Sequence, residues 1–312
     1  MQLINMKTLK KMIKIHLHND ISLTGINKAN HNRFALSSYV ETMKFFYKTL
    51  FLFFLTGSSL AFADNVQEGN RLYNAGKYQQ AMSYYMKPDA IKKPAVMNRI
   101  GYMYRKGRGV QENPKEACKW YRKAAEAGFA ASQFNLGLMY EQGEGTSKDI
   151  TEAVKWFRKA AEQKYPDAEM KMGYLTVTGT GIKKDFNEAM QWYRSAAEHG
   201  DKNAYVDIGI MYYKGDGVQQ SYNHAVQYYI MGAQKEDTKA QSLLAACYEF
   251  GTGITRDNEK ALYWYKQAAK NGNINAMKEL GSVYTKGRLG LKPDPKEARR
   301  WYDMAKQARE KN

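Results

Sequence analysis

The chain is 312 residues long and carries a formal charge of +17, from 48 Lys and Arg against 31 Asp and Glu. Its first 63 residues hold eight of the cations opposite Asp20 and Glu41, which leaves about +11 on residues 64–312, spread over solvated positions such as Lys119, Arg122, Lys155 and Arg158. No basic-aromatic RNA motif accompanies that moderate excess, which excludes nucleic acid as a partner and leaves an anionic envelope polymer as an accessory one.

In chain order, the first recognisable signal starts at Met43. Lys44 and Lys48 precede an apolar run from Leu50 to Leu55, and Ala61–Phe62–Ala63 closes it. A basic region, an apolar core and an A-x-A site in that order predict a signal peptide over residues 43–63, cleaved after Ala63. The run is short and is followed by Gly57, Ser58 and Ser59, so no stable membrane insertion is expected after cleavage. With Met43 as the initiator, residues 1–42 are a mis-assigned start; the rival reading is an extended leader carrying Lys7, Lys10, Lys11 and Lys14. The expected destination is the periplasm or the outside of the cell.

From residue 95 onward a unit of 36 residues recurs six times, with anchors at Gly101, Gly137, Gly173, Gly209, Ala245 and Gly281. The expected units are about 95–130, 131–166, 167–202, 203–238, 239–274 and 275–312. A fixed period of this length predicts an all-α fold: a right-handed α/α superhelical solenoid of stacked helix–turn–helix repeats. In each first helix, apolar residues fall one before the anchor (Ile100, Leu136, Met172) and two and three after it (Met103 and Tyr104, Met139 and Tyr140), a stripe of helical spacing. Small residues five before the anchor, such as Ala168 and Ala204, permit close helix approach.

A turn with glycine at alternate positions follows, as in Gly107 and Gly109, suited to positive φ and to ending a helix. The second helix opens at Asn113, Asp149, Asp185, Ser221, Asp257 and Asp294, all good N-caps. Three positions later, Glu116, Glu152, Glu188 and Glu297 predict a capping box, which His224 and Lys260 interrupt in units four and five. Each second helix then carries an aromatic pair, Trp120–Tyr121 through Trp301–Tyr302, and all five tryptophans occupy this one slot, which argues for packing.

These marks resemble the SEL-one-like repeat family, a relative of the tetratricopeptide repeats, over residues ~95–312. Ahead of them, Gly69, Leu72, Gly76, Tyr78, Ala81, Tyr84 and Tyr85 look like a shorter tetratricopeptide-style pair, and residues 64–94 are expected to cap the array. Secreted members with a cysteine pair in every repeat have been linked to penicillin binding; this chain lacks those pairs. Its two cysteines, Cys118 and Cys247, lie four units apart and cannot bridge, so both are expected as small buried hydrophobes.

Reactive constellations are missing from residues 64–312: no Ser-x-x-Lys, Gly-x-Ser-x-Gly, phosphate loop or His-Glu-x-x-His occurs. His199 and His224 have no metal-spaced companions, and the glutamates recur as caps. No cofactor or metal is therefore expected, and the chain reads as a non-enzyme. In a solenoid the candidate binding positions are those that vary while packing slots stay fixed. They lie three before, one after and four after the anchor, on one helical face. In the tetratricopeptide relatives the resemblance implies that this face lines a concave peptide groove. Here it comprises Asn98, Tyr102 and Arg105; Phe134, Leu138 and Glu141; Met170, Tyr174 and Val177; and Val206, Ile210 and Tyr213. Its apolar middle predicts an exported adaptor that grips a peptide or helix of another protein. The alternatives are recognition of cell-wall or capsule glycan and, third, hydrolysis of the β-lactamase type.

Overall fold

The computed structural model describes residues 64–311, which hold fourteen helices. Helices α1 (Asn65–Asn74) and α2 (Tyr78–Tyr85) form a leading pair. Six pairs follow: α3 (Pro94–Lys106) with α4 (Pro114–Glu126), α5 (Ala130–Gln142) with α6 (Ile150–Glu162), and α7 (Pro166–Thr178) with α8 (Phe186–Glu198). Then come α9 (Asn203–Lys214) with α10 (Tyr222–Gln234), α11 (Thr238–Phe250) with α12 (Asn258–Lys270), and α13 (Ile274–Lys286) with α14 (Pro295–Lys311). The substantial helix contacts join sequence neighbours, with one addition between the first helices α9 and α11. That is an all-α repeat solenoid. The predicted leader and signal peptide lie outside the described residues, and no helix among those described is long and apolar enough to cross a membrane.

The anchor glycines are explained by the aromatic pair. A Cβ on Gly101 would sit 2.9 Å from the Tyr121 ring, and one on Gly137 2.6 Å from Phe157. The second aromatic of each helix thus lies directly on the first helix; Tyr121 and Phe157 are fully buried. Its companion reaches backward instead: Trp156 packs with Ala117, Cys118 and Tyr121 of the preceding repeat, and Trp192 against the cluster around Phe157. One aromatic closes a repeat while the other joins two. Cys118 and Cys247 are buried and free, and burial pushes the Cys247 thiol up to about 11.

The turns behave as the glycines predict, with one correction. Gly143 adopts φ 72° and donates its N–H to the Met139 carbonyl, ending α5. Asp149 Oδ1 then accepts from Glu152 N–H at 2.9 Å and Asn113 Oδ1 from Glu116 N–H at 3.1 Å, so the N-caps are real. The reciprocal half of the capping box is not made. The N-cap amide donates across the turn to the residue three after the anchor, Asp149 to the Tyr140 carbonyl at 2.9 Å and Asn113 to Tyr104 at 2.8 Å. With that donor occupied, the glutamates pair outward, Glu116 with Lys119 and Glu152 with Lys155.

A buried polar clasp recurs thirty residues apart. Gln133 accepts from Gln163 Nε2 at 2.7 Å, and Gln241 from Asn271 Nδ2 at 3.3 Å. Repeat three fills the same slots with a carboxyl group and an imidazole: Glu169, 1% exposed, lies 2.9 Å from His199 Nδ1 and accepts from Ser195 Oγ at 2.6 Å.

Candidate protein-docking surface

The twelve expected groove residues sit on α3, α5, α7 and α9, one turn apart along each helix. Their depths differ. Tyr174 and Tyr213 are open, 54% and 43% exposed. Val206, at 5%, belongs to the core with Val226, Ala240 and Leu244, so it lines no groove. The reason is the direct contact between α9 and α11, which closes over the slot three before the anchor. Phe134 and Leu138 are half-buried against the Phe157 cluster, Met170 and Val177 against Tyr193, Ile210 against Tyr229, and Tyr102 against two adjoining clusters. The expected continuous apolar channel therefore reduces to two exposed tyrosines above a mostly packed floor.

The polar members hold repeats together. Asn98 Oδ1 accepts from Ser132 Oγ at 2.9 Å and from Asn135 Nδ2 at 3.0 Å, both in the next repeat. Arg105 grips Glu144 at 2.6 Å and donates to Gln142 Oε1 at 3.2 Å. Glu141 pairs with Lys171 at 2.8 Å, whose ammonium lies 5.8 Å from the Tyr174 ring centroid. Between repeats five and six the Arg105–Glu144 slots recur with charges exchanged: Glu249, 5% exposed, meets Arg288 at 2.6 Å. Burial first, and the Glu249 carboxylate after it, raise the pKa of the Tyr265 hydroxyl that donates to Glu249.

Three exposed aromatics escaped the sequence reading: Tyr222, Phe250 and, on α12, Tyr263 at 53% exposure. Tyr222, 42% exposed, has its ring 5.0 Å from that of Tyr213, and Phe250 is 69% exposed. Phe250 occupies the slot five after the anchor, where the other repeats carry Lys106, Gln142, Thr178, Lys214 and Lys286. That substitution was a visible signal. Tyr213 and Phe250 stand in the same relation as Arg105 and Gln142, which touch. Repeats three to five thus present Tyr174, Tyr213, Tyr222 and Phe250 to solvent. Among the described residues no group of three His, Cys, Asp or Glu is placed to hold a metal ion.

Paired helices stacked at a constant period, tied by side chains that cross from one unit to the next, define a helical-repeat solenoid of the kind that serves as an interaction module. The chain belongs to the Sel1 repeat family: residues 94–129, 130–165, 166–201, 202–237, 238–273 and 274–308 each match the Sel1 repeat. A crystal structure of a Sel1 repeat protein from Oxalobacter formigenes shares 67% identity and a TM-score of 0.74, over 78% of this chain and 99% of that one. A protective antigen present in uropathogenic Escherichia coli strains, displaying an SLR fold, shares 31% identity and a TM-score of 0.71, over 83% of this chain and 56% of that one. No curated protein matches. Sel1 repeats are generally protein–protein interaction modules, and the family is typically a non-enzymatic scaffold.

Proposed function

We propose that the chain is an exported, non-enzymatic adaptor that holds a peptide or helix of another protein against repeats three to five. The observation that carries this reading is the set of exposed aromatics, Tyr174, Tyr213, Tyr222 and Phe250, on successive units; Tyr263 and Tyr302, 53% and 43% exposed, lie on the second helices of repeats five and six. Tyrosine contributes large contact area at small entropic cost and dominates interface energetics. Export rests on the signal-peptide pattern of residues 43–63 and places the partner in the envelope or beyond it. The test uses the full chain as bait in envelope extract, identification of the retained protein, and its affinity for a Tyr174→Ala/Tyr213→Ala variant. Binding should weaken about tenfold to a hundredfold, with the melting temperature nearly unchanged because both side chains are open. Unchanged affinity defeats the reading, and so does a variant that loses its fold.

A further inference from the structure

Repeats one and six use the same two slots in opposite ways. Two before the anchor and seven after it, repeat six carries Glu279 and Arg288, which pair at 3.2 Å, and Arg288 also meets Glu249 of repeat five at 2.6 Å. In repeat one those slots hold Arg99 and Arg108, and no other repeat places two cations there. Helix α3 adds Arg105 and Lys106 and contains no Asp or Glu.

The leading pair and repeat one gather these two cations on tyrosine instead. Arg99 Cζ lies 4.6 Å from the Tyr73 ring centroid and Arg108 Cζ 5.9 Å from it, so one ring serves two guanidinium groups. Arg108 also lies 5.3 Å from the Tyr78 ring and 5.2 Å from the Tyr102 ring, and its Nη1 donates to Tyr73 Oη at 2.8 Å. Both arginines are half-buried, and among the described residues neither forms an ion pair. Glu112, the carboxylate of the turn after α3, meets neither of them. Cation–π contact and a neutral hydroxyl orient a guanidinium without cancelling its charge.

We infer that Arg99 and Arg108 receive the carboxylates of an acidic segment of the partner protein. That the ligand is a peptide rests on the adaptor reading; its acidity is read from these residues. A neutral or basic segment would leave two like charges uncompensated, whereas a carboxylate matches a guanidinium in charge and in the spacing of its paired N–H donors. The tyrosine rings hold both side chains beforehand, so less rotamer freedom is lost on binding. Clusters of arginine of this kind suit acidic motifs. Tyr102 joins the site to the helical face that Asn98 and Arg105 share, and Arg105 is itself occupied by Glu144, which leaves Arg99 and Arg108 as the receiving pair.

The test is NMR titration of the full chain with a short capped peptide of Glu and Gly, its counterpart of Gln and Gly, and inorganic phosphate. The acidic peptide should shift the Arg99 and Arg108 Nε–H signals and the Tyr73 and Tyr102 rings, and bind about tenfold more tightly than its neutral counterpart, or better. Arg99→Glu rebuilds the pair of repeat six with Arg108, so it should keep the fold while acidic-peptide affinity falls about tenfold or more. Arg122→Gln/Arg194→Gln makes the same change in net charge at two other arginines that donate to tyrosine hydroxyls, and should leave affinity within about twofold. The inference is overturned if the two peptides bind the unaltered chain alike, a comparison that decides even where a variant unfolds. It is overturned equally if both variants lose affinity to the same extent, or if phosphate binds these residues as tightly as the acidic peptide. A retained envelope partner that is weakened by Tyr174→Ala/Tyr213→Ala but not by Arg99→Glu would also overturn it, and would leave the adaptor reading standing.

Discussion

Asp207 shows how far one side chain's setting can depart from its slot. It lies on α9 two residues before the anchor, where sister repeats place Arg99, Asn135, Lys171, Leu243 and Glu279. Burial, with Asp201 and the buried N-cap Asp237 nearby, raises its pKa to about 6; Lys239 opposes this only in part. Because the folded value exceeds the unfolded one, the folded state binds the proton more tightly. The stability this group confers is complete below about pH 4 and is lost as pH rises through about 6. At neutral pH the carboxylate is therefore a liability, worth about 1 kcal/mol once its partial solvation is allowed for. Asp207→Asn should raise the melting temperature by about 2–4 °C at neutral pH and by little near pH 4. Thermal scans at both values check this, and an equal shift at each would remove the titration from the explanation. The slot itself was legible in the sequence; its environment was not, since Asp237, at the end of the same repeat, and Lys239, in the next, approach it only through the fold.

At the scale of the element, the turn does more than its glycines announce. Positive φ explains both members of each pair, Gly143 at 72° and Gly145 at 69°, and that much followed from composition. The second glycine also carries a contact that spacing does not reveal. A Cβ on Gly145 would collide with the backbone carbonyl of Pro114, the first residue of the preceding repeat's second helix, and one on Gly109 would lie 2.5 Å from the Tyr78 carbonyl carbon. The turn of each repeat rests on the second helix of the one before it. Gly143→Ala should cost about 1 kcal/mol for the left-handed conformation. Gly145→Ala should cost roughly 2–3 kcal/mol or more, because rigid backbone must also move. Chemical denaturation of the two variants separates them; equal losses would mean that the seat on Pro114 carries no weight. Similar reasoning explains why a complete capping box was misread. The N-cap and Glu positions were visible, but the carbonyl that takes the N-cap amide comes from the tertiary closure of the turn. Val206 was misplaced for a related reason: it shares one helical face with Tyr213, and only the approach of α11 decides which is covered.

Across the whole array, cohesion is local. Each core cluster spans adjoining units, as where Leu72 and Tyr85 of the leading pair share one with Ile100 and Met103. Polar ties such as Arg105–Glu144 and Glu249–Arg288 reach one repeat and no further. Stability is then a sum of unit and neighbour terms, so damage propagates by one interface at a time. Repeats three to five, with the exposed tyrosines and Phe250, have neighbours on both sides, which keeps a docking surface ordered while the ends fray. Leu280, fully buried in α13, offers the test. Leu280→Ala should cost about 2–5 kcal/mol locally. Amide exchange followed by mass spectrometry should then show lost protection over residues 274–308, partial loss in repeat five, and unchanged protection from repeats one to three. A uniform loss along the chain would mean that the array melts as a single cooperative body, and the aromatic surface would then have no more protection than the ends.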